Sequence, residues 1–199
     1  MAINLEKGQK ISLEKTAGTT LTRVFMGLGW GQKKVKKSGF LGFGAGESLE
    51  DVDLDASCLL YSGSQRVDQV WFRQLASQDG SIKHSGDDRR GGGQAAADNE
   101  QIAIDLAQLP SQVDTLIFTV NSFTGESFEG VPDAFCRLVD ATGNREIARF
   151  NLTLEGQGNT GLVMAKLVRS GNDWQMQAIG EQGRGRTFEE LAPIIDRHL

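Results

Sequence analysis

No apolar run in this chain approaches the roughly 18 residues of a membrane-spanning helix. The opening Met1-Ala2-Ile3-Asn4-Leu5-Glu6-Lys7 carries an early acid and no apolar stretch of the kind a signal peptide needs, so a cytoplasmic address and no integral membrane segment are expected. There are only two cysteines, Cys58 and Cys136, and their spacing does not suit zinc. Both sit in apolar strand-like runs and read as buried, reduced thiols. Positive charge is in deficit, with a net charge of −5, which gives no general attraction to nucleic acid. The one basic cluster, Lys33, Lys34, Lys36 and Lys37, reads as a solvated loop or a contact for an acidic partner, and has no interleaved aromatics to stack bases. Neither a G-x-S-x-G elbow nor an H-E-x-x-H motif is present. With 1 Tyr and 3 Trp the chain is poor in the exposed aromatics of a sugar site, and Trp30 and Trp174 read as core. Of the two histidines, His84 lies in a turn near Asp87 and reads as a hydrogen-bonding or surface residue rather than a general base.

Glycine, by contrast, is abundant: 25 residues against 3 prolines, a ratio that suggests many tight turns and many short strands. Short apolar or alternating stretches recur at Leu21–Leu28, Val52–Leu60, Val67–Phe72, Ile102–Leu106, Thr115–Val120, Ala134–Val139, Ile147–Leu152, Leu162–Val168 and Trp174–Ile179. Bounded by Gly, Asp, Asn and Ser, they predict a mainly β fold, a β-sandwich of antiparallel strands. Arg169–Asp173 and Ala141–Asn144 read as hairpin connections. The Gly156–Gly161 segment matches G-x-G-x-x-G, but a β-like run follows it where a dinucleotide site needs a helix. A short C-terminal helix is expected from Leu191, Ile194, Ile195 and Leu199, with Thr187 and Glu190 as a capping box and Pro193 as a disturbance. No linker or repeat divides the chain, so residues 1–199 are expected to form one domain.

Two segments concentrate carboxylates. In Asp51-Val52-Asp53-Leu54-Asp55-Ala56-Ser57-Cys58-Leu59-Leu60, alternation puts Val52, Leu54, Ala56, Cys58 and Leu60 on a core face. Asp51, Asp53 and Asp55 then share the other face, about 7 Å apart, where a cation would relieve their repulsion. The run is not an EF-hand loop, which wants glycine and glutamate at its sixth and twelfth positions, here Ala56 and Ser62. The second segment, Asp79 to Glu100, is a long glycine-rich loop with Asp87, Asp88, Asp98, Asn99 and Glu100 as oxygen donors. Calcium accepts six to eight such oxygens in flexible geometry, and magnesium is stricter. On residue types alone these acids are also what solvated turns and caps carry.

The ordered blocks Gly27-Leu28-Gly29-Trp30, Asp53–Ser57, Asp79–Asp88, Asp98–Ile102, Phe135–Asp140, Glu146–Leu152 and Trp174–Gly180 resemble the TerD family of tellurium-resistance proteins over nearly the whole chain. The resemblance implies a non-enzymatic, calcium-binding bacterial stress protein. Carried over residue by residue, the family's Ca²⁺ ligands fall on Asp53, Asp55, Asp87, Asp88, Asp98 and Glu100. Several positions depart from the family pattern. Arg89-Arg90 replace a Leu-Thr pair, Gln94–Ala97 displace an acidic stretch, and Gln74 stands for an asparagine donor. These departures imply that one site of a pair is weakened or lost, with Arg89 and Arg90 replacing part of a cation's charge. Two competing readings stand beside this one. The first is an interaction module that assembles with related stress proteins or a membrane-associated complex, with little or no metal. The second, weaker because no activating base is evident, is a metal-dependent hydrolase.

Overall fold

The computed structural model describes residues 2–37, 46–89, 97–129, 131–152 and 158–199. Fourteen strands are described. In chain order they are β1 (Ile3–Asn4), β2 (Lys10–Ser12), β3 (Arg23–Gly29), β4 (Lys33–Lys37), β5 (Gly46–Glu50), β6 (Asp55–Ser62), β7 (Gln65–Val70), β8 (Ile82–His84), β9 (Glu100–Asp105), β10 (Thr115–Asn121), β11 (Phe135–Asp140), β12 (Arg145–Asn151), β13 (Gly161–Ser170) and β14 (Asp173–Gly183). Twelve of them form two six-stranded sheets, in the orders β1-β12-β11-β3-β9-β8 and β2-β14-β13-β10-β6-β7; β4 and β5 pair only with each other. Every pairing is antiparallel except β1 with β12. The mainly β sandwich expected from the spacing of apolar runs is therefore present, and each of the nine anticipated runs overlaps one strand.

The two sheets pack face to face over one large apolar cluster. Along β6 the alternation works as the sequence implies: Ala56, Cys58 and Leu60 enter this cluster, led in by the buried Val52 and Leu54. The other face of β6 is buried too. Leu59 and Tyr61, with Ile117, Val163 and Ile179, lie under Phe188, Leu191 and Ile195 of the C-terminal segment. Burying each large side chain contributes roughly 2–3 kcal/mol, so this segment acts as a lid that keeps the second sheet from facing water. Cys58 and Cys136 are free and fully buried, and burial pushes both thiols up, away from thiolate reactivity.

Some local expectations need correction. The lysine cluster is a strand, β4, paired with β5, because Lys33–Lys37 finds a backbone partner in Gly46–Glu50. The expected short C-terminal helix is present, as Ala192–Ile195 flanked by 3₁₀ turns at Phe188–Leu191 and Asp196–His198. Pro193 sits in the first turn of that α-helix, where its missing N–H costs nothing. The capping box does not form: the Thr187 side chain caps nothing, and Glu190 Oε1 accepts from Arg186 N. A five-residue helix, α1 (Leu13–Ala17), was not anticipated. Ser12 caps it by accepting from Lys15 N, and Gly18 ends it at φ 76°. The expected hairpins at Ala141–Asn144 and Arg169–Asp173 are both formed, with Asn144 at φ 48° and Gly171 at φ 62° supplying the left-handed residue. No described helix is long and apolar enough to cross a membrane.

Candidate metal centre

The site lies where β6 begins, at the end of the sandwich reached also by the start of β9 and the end of β8. Glu100 is the hinge pin. It takes the inward position at the head of β9, in line with Ile102 and Ile104, and is completely buried. A bare carboxylate there would be very costly. It is instead held by donors from other segments: Oε2 accepts from Ala56 N at 2.7 Å, and Oε1 accepts from Asp88 N at 3.2 Å. His84, also buried, places Nε2 3.2 Å from the Ala56 carbonyl and 3.4 Å from Glu100 Oε2. Because Gly86 N donates to His84 Nδ1 at 3.0 Å, the ring proton lies on Nε2, which donates toward both oxygens. Thus one carboxylate ties β6, β8 and the Gly86–Asp88 loop into a single frame.

Against this frame three further carboxylates converge. Asp53, Asp55 and Asp87 each bring an oxygen within 4.8 Å of the other two. Asp55 heads β6 opposite Asn121 of β10 and is only 5 % exposed. Asp53 Oδ1 and Asp55 Oδ2 are buried and have no hydrogen-bond partner. Unpaired buried acceptors are uncommon and cost on the order of 1–3 kcal/mol each, more when charged. The electrostatics agree with the geometry. Burial, then the charges of Glu100, Asp53 and Asp87, push Asp55 up to about 7. Asp53 is raised too, by burial and by Asp87, against the opposing charge of Arg89. Among the described residues Arg89 reaches in, its Nε meeting Asp87 Oδ2 at 3.0 Å from a largely exposed side chain.

The anticipated ligands therefore separate into three roles. Asp53, Asp55 and Asp87 are brought together. Asp88 and Glu100 stand behind them: the Asp88 backbone binds Glu100, and its Oδ2 accepts from Asn99 Nδ2 at 3.4 Å. Asp98 is placed elsewhere. Its carboxylate forms a two-pronged ion pair with Arg137 on the outer face of the other sheet, at 2.7 and 2.9 Å. It does not join the acid group because the strand beneath it has Gly27, whose absent side chain leaves the space the carboxylate occupies. Asp51, expected alongside Asp53 and Asp55, is exposed and accepts from Gln32 Nε2 instead. Asn99 Oδ1 accepts from Trp30 N, and Gln74 Nε2 donates to Asp68. Neither of these contacts is to Asp53, Asp55 or Asp87. His84, read as a hydrogen-bonding or surface residue, is a buried hydrogen-bonding strut. Arg90 and the Gly91–Ala96 stretch lie outside the described residues. Sequence reasoning missed Glu126, whose charge acts on Asp53 from the loop after β10; nothing local in the sequence marks it.

The sequence matches known proteins along nearly the whole chain. The TerD domain family matches residues 1–194. The Serratia marcescens protein named tellurium resistance protein TerZ is 44 % identical over 192 residues, covering 95 % of this chain and 94 % of its own. Stress response protein SCP2 of Bacillus subtilis (strain 168) is 36 % identical over 207 residues and the full length of both. In three dimensions the fold resembles the crystal structure of a homologue of telluride resistance protein (TerD) from Streptomyces coelicolor A3(2). That match has a TM-score of 0.62 at 19 % identity and covers 83 % of this chain and 92 % of that one. The protein is a member of the TerD family of tellurium-resistance and stress-response proteins.

Proposed function

We propose that this TerD-family protein is a non-enzymatic calcium-binding stress protein whose ion is held by Asp53, Asp55 and Asp87. The observation that carries this reading is the pair of buried, unpartnered oxygens, Asp53 Oδ1 and Asp55 Oδ2, facing a third carboxylate. A protein that merely solvated these acids would leave them in water; here an oxygen of each of two is withdrawn from it. The donor set is all oxygen and comes from a strand entrance and a loop, which suits calcium better than the stricter octahedron of magnesium or the nitrogen and sulfur preference of zinc. Bound calcium would supply positive charge that removes the mutual repulsion of the three acids. Glu100 and Asp88 position the Gly86–Asp88 loop so that Asp87 reaches the other two. Arg89 already neutralises part of Asp87 and competes with the ion, so a single site of reduced affinity follows.

Calcium titrated calorimetrically into metal-stripped protein tests this directly. One equivalent should bind, and saturating calcium should raise the melting temperature by mass action. Unchanged melting together with no heat at millimolar calcium would sink the reading. Magnesium at the same concentration should give a smaller shift.

A further inference from the structure

We propose that the end of the sandwich bearing the acid group docks on an anionic membrane surface when calcium is bound; the inference rests on the calcium reading above. Three structural elements converge at this end. The first is the β4–β5 hairpin. Its base is closed by Gln32 Nε2 donating to Asp51 Oδ1 at 2.6 Å and by Trp30 Nε1 donating to the Val52 carbonyl at 2.8 Å, which fixes it one to two residues before Asp53. β4 carries Lys33, Lys34, Lys36 and Lys37 against only Glu47 and Glu50 of β5. Leu49 of β5 is 60 % exposed. The second is the loop after β10. Asn121 pairs with Asp55, and two residues on Phe123 stands 37 % exposed. The third is the turn after β7. Phe72 meets Phe123 edge-on at 5.3 Å, and the Arg73 guanidinium lies 5.2–5.4 Å from the rings of Trp71, Phe72 and Phe123. Leu75 follows, 47 % exposed, its carbonyl accepting from His84 N.

Thus Leu49, Leu75 and Phe123, three of the five exposed large apolar side chains among the described residues, lie on segments that lead into, pair with or hydrogen-bond to the strands bearing the acid group. Single exposed apolar residues need no explanation, but three on neighbouring segments that also carry cations do. A chain of net charge −5 is repelled by an anionic surface as a whole. The lysine strand, Arg73 and a bound divalent cation reverse that sign locally. The three ligand atoms of Asp53, Asp55 and Asp87 also leave coordination positions for phosphate oxygens of lipid headgroups. The apolar residues come from three separate segments and not from one, which suits a headgroup layer better than a peptide. Peripheral membrane binding needs more than one weak signal, and this end offers apolar insertion, polybasic attraction and a bridging ion together.

Co-sedimentation with vesicles of phosphatidylcholine, with and without phosphatidylglycerol, tests the proposal, with a calorimetric calcium titration run alongside in the absence of lipid. The protein is expected to pellet with phosphatidylglycerol vesicles in calcium and to be released by chelator, and not to pellet with pure phosphatidylcholine. Leu49→Ser with Phe123→Ser should weaken vesicle affinity about tenfold. Converting the four lysines of β4 to glutamine should weaken it roughly fivefold per lysine. Neither variant should alter the lipid-free calcium titration, since none of these residues is a ligand. Calcium heat without pelleting would overturn membrane docking while leaving the calcium site standing. Absence of both would remove the two together. Pelleting that ignores chelator, or that survives both variants, would also overturn it. Equal calcium-dependent binding to soluble polyaspartate would make an acidic protein surface the occupant instead.

Discussion

Two groups of acids in this molecule are treated in opposite ways. On the outer face of one sheet, Asp98 and Glu146 meet Arg137, and Glu146 also meets Arg149, whose guanidinium lies 3.9 Å from the ring of Phe135. Every carboxylate there has a fixed cationic partner, and hydrogen bonds from Arg149 and Arg137 hold Glu146 below the usual carboxylate range. At the head of β6, by contrast, Asp53, Asp55 and Asp87 share one exposed arginine among the described residues, and Asp55 is pushed up to about 7. A carboxylate with a built-in partner serves the fold. Gathered carboxylates with buried, unbonded oxygens are what the proposed ion would pair with.

The contrast can be broken from either side. The largest effect is expected on the structural side. Arg137→Leu leaves Asp98, with a side chain only 1 % exposed, buried without its cation. Losing one partner of such a pair costs about 3–5 kcal/mol, measurable by denaturant unfolding. The same variant should leave calcium affinity unchanged, and a large loss of affinity would draw Asp98 back into the metal site. Next, Asp55→Asn should weaken calcium binding about a hundredfold, or roughly 3 kcal/mol. In metal-stripped protein the same change should raise the melting temperature, because it removes a repelled charge. A lower melting temperature would show that the acid is structurally required.

The pH dependence should also divide in two. Asp55 has a raised pKa, so the folded, metal-free protein holds that proton more tightly than the unfolded chain. Its contribution is fully present below about pH 4 and is lost as pH rises toward about 7, on the order of 2 kcal/mol since neighbouring acids relieve one another. Glu146, with a lowered pKa, contributes above its unfolded value near 4.5 and is lost as pH falls through its folded pKa. Saturating calcium should flatten the first slope and leave the second. Chemical denaturation across this range, with calcium and with chelator, resolves the two. The smallest effect is that of Arg89→Ala. Freeing Asp87 from an exposed ion pair should strengthen calcium binding about two- to fivefold, and weaker binding would mean that Arg89 supports the site rather than competing in it.

The primary structure was most legible where neighbours along the chain decide the outcome. The alternation Val52-Leu54-Ala56-Cys58-Leu60 fixes which face of β6 is core, and with it that Asp53 and Asp55 enter the site from the other side. The hairpins at Ala141–Asn144 and Arg169–Asp173 follow from turn chemistry, and nine apolar runs mark nine strands. Legibility failed where distant segments supply the partner. Lys33–Lys37 is a strand only because Gly46–Glu50 lies beside it. The Thr187 and Glu190 pair had the spacing of a capping box, yet a 3₁₀ turn formed instead. Among six acids of similar local character, only tertiary placement separates their roles. Arg137 arrives across Gly27 to claim Asp98, while Ala56 N and Asp88 N claim Glu100. Asp53, Asp55 and Asp87 are left facing one another. Composition and order along the chain thus determined a β-sandwich with acids at one strand entrance and one loop. Which of those acids stand without a partner was decided by the packing of the two sheets, because an ion pair or a buried donor depends on distance in space and not on position in the chain.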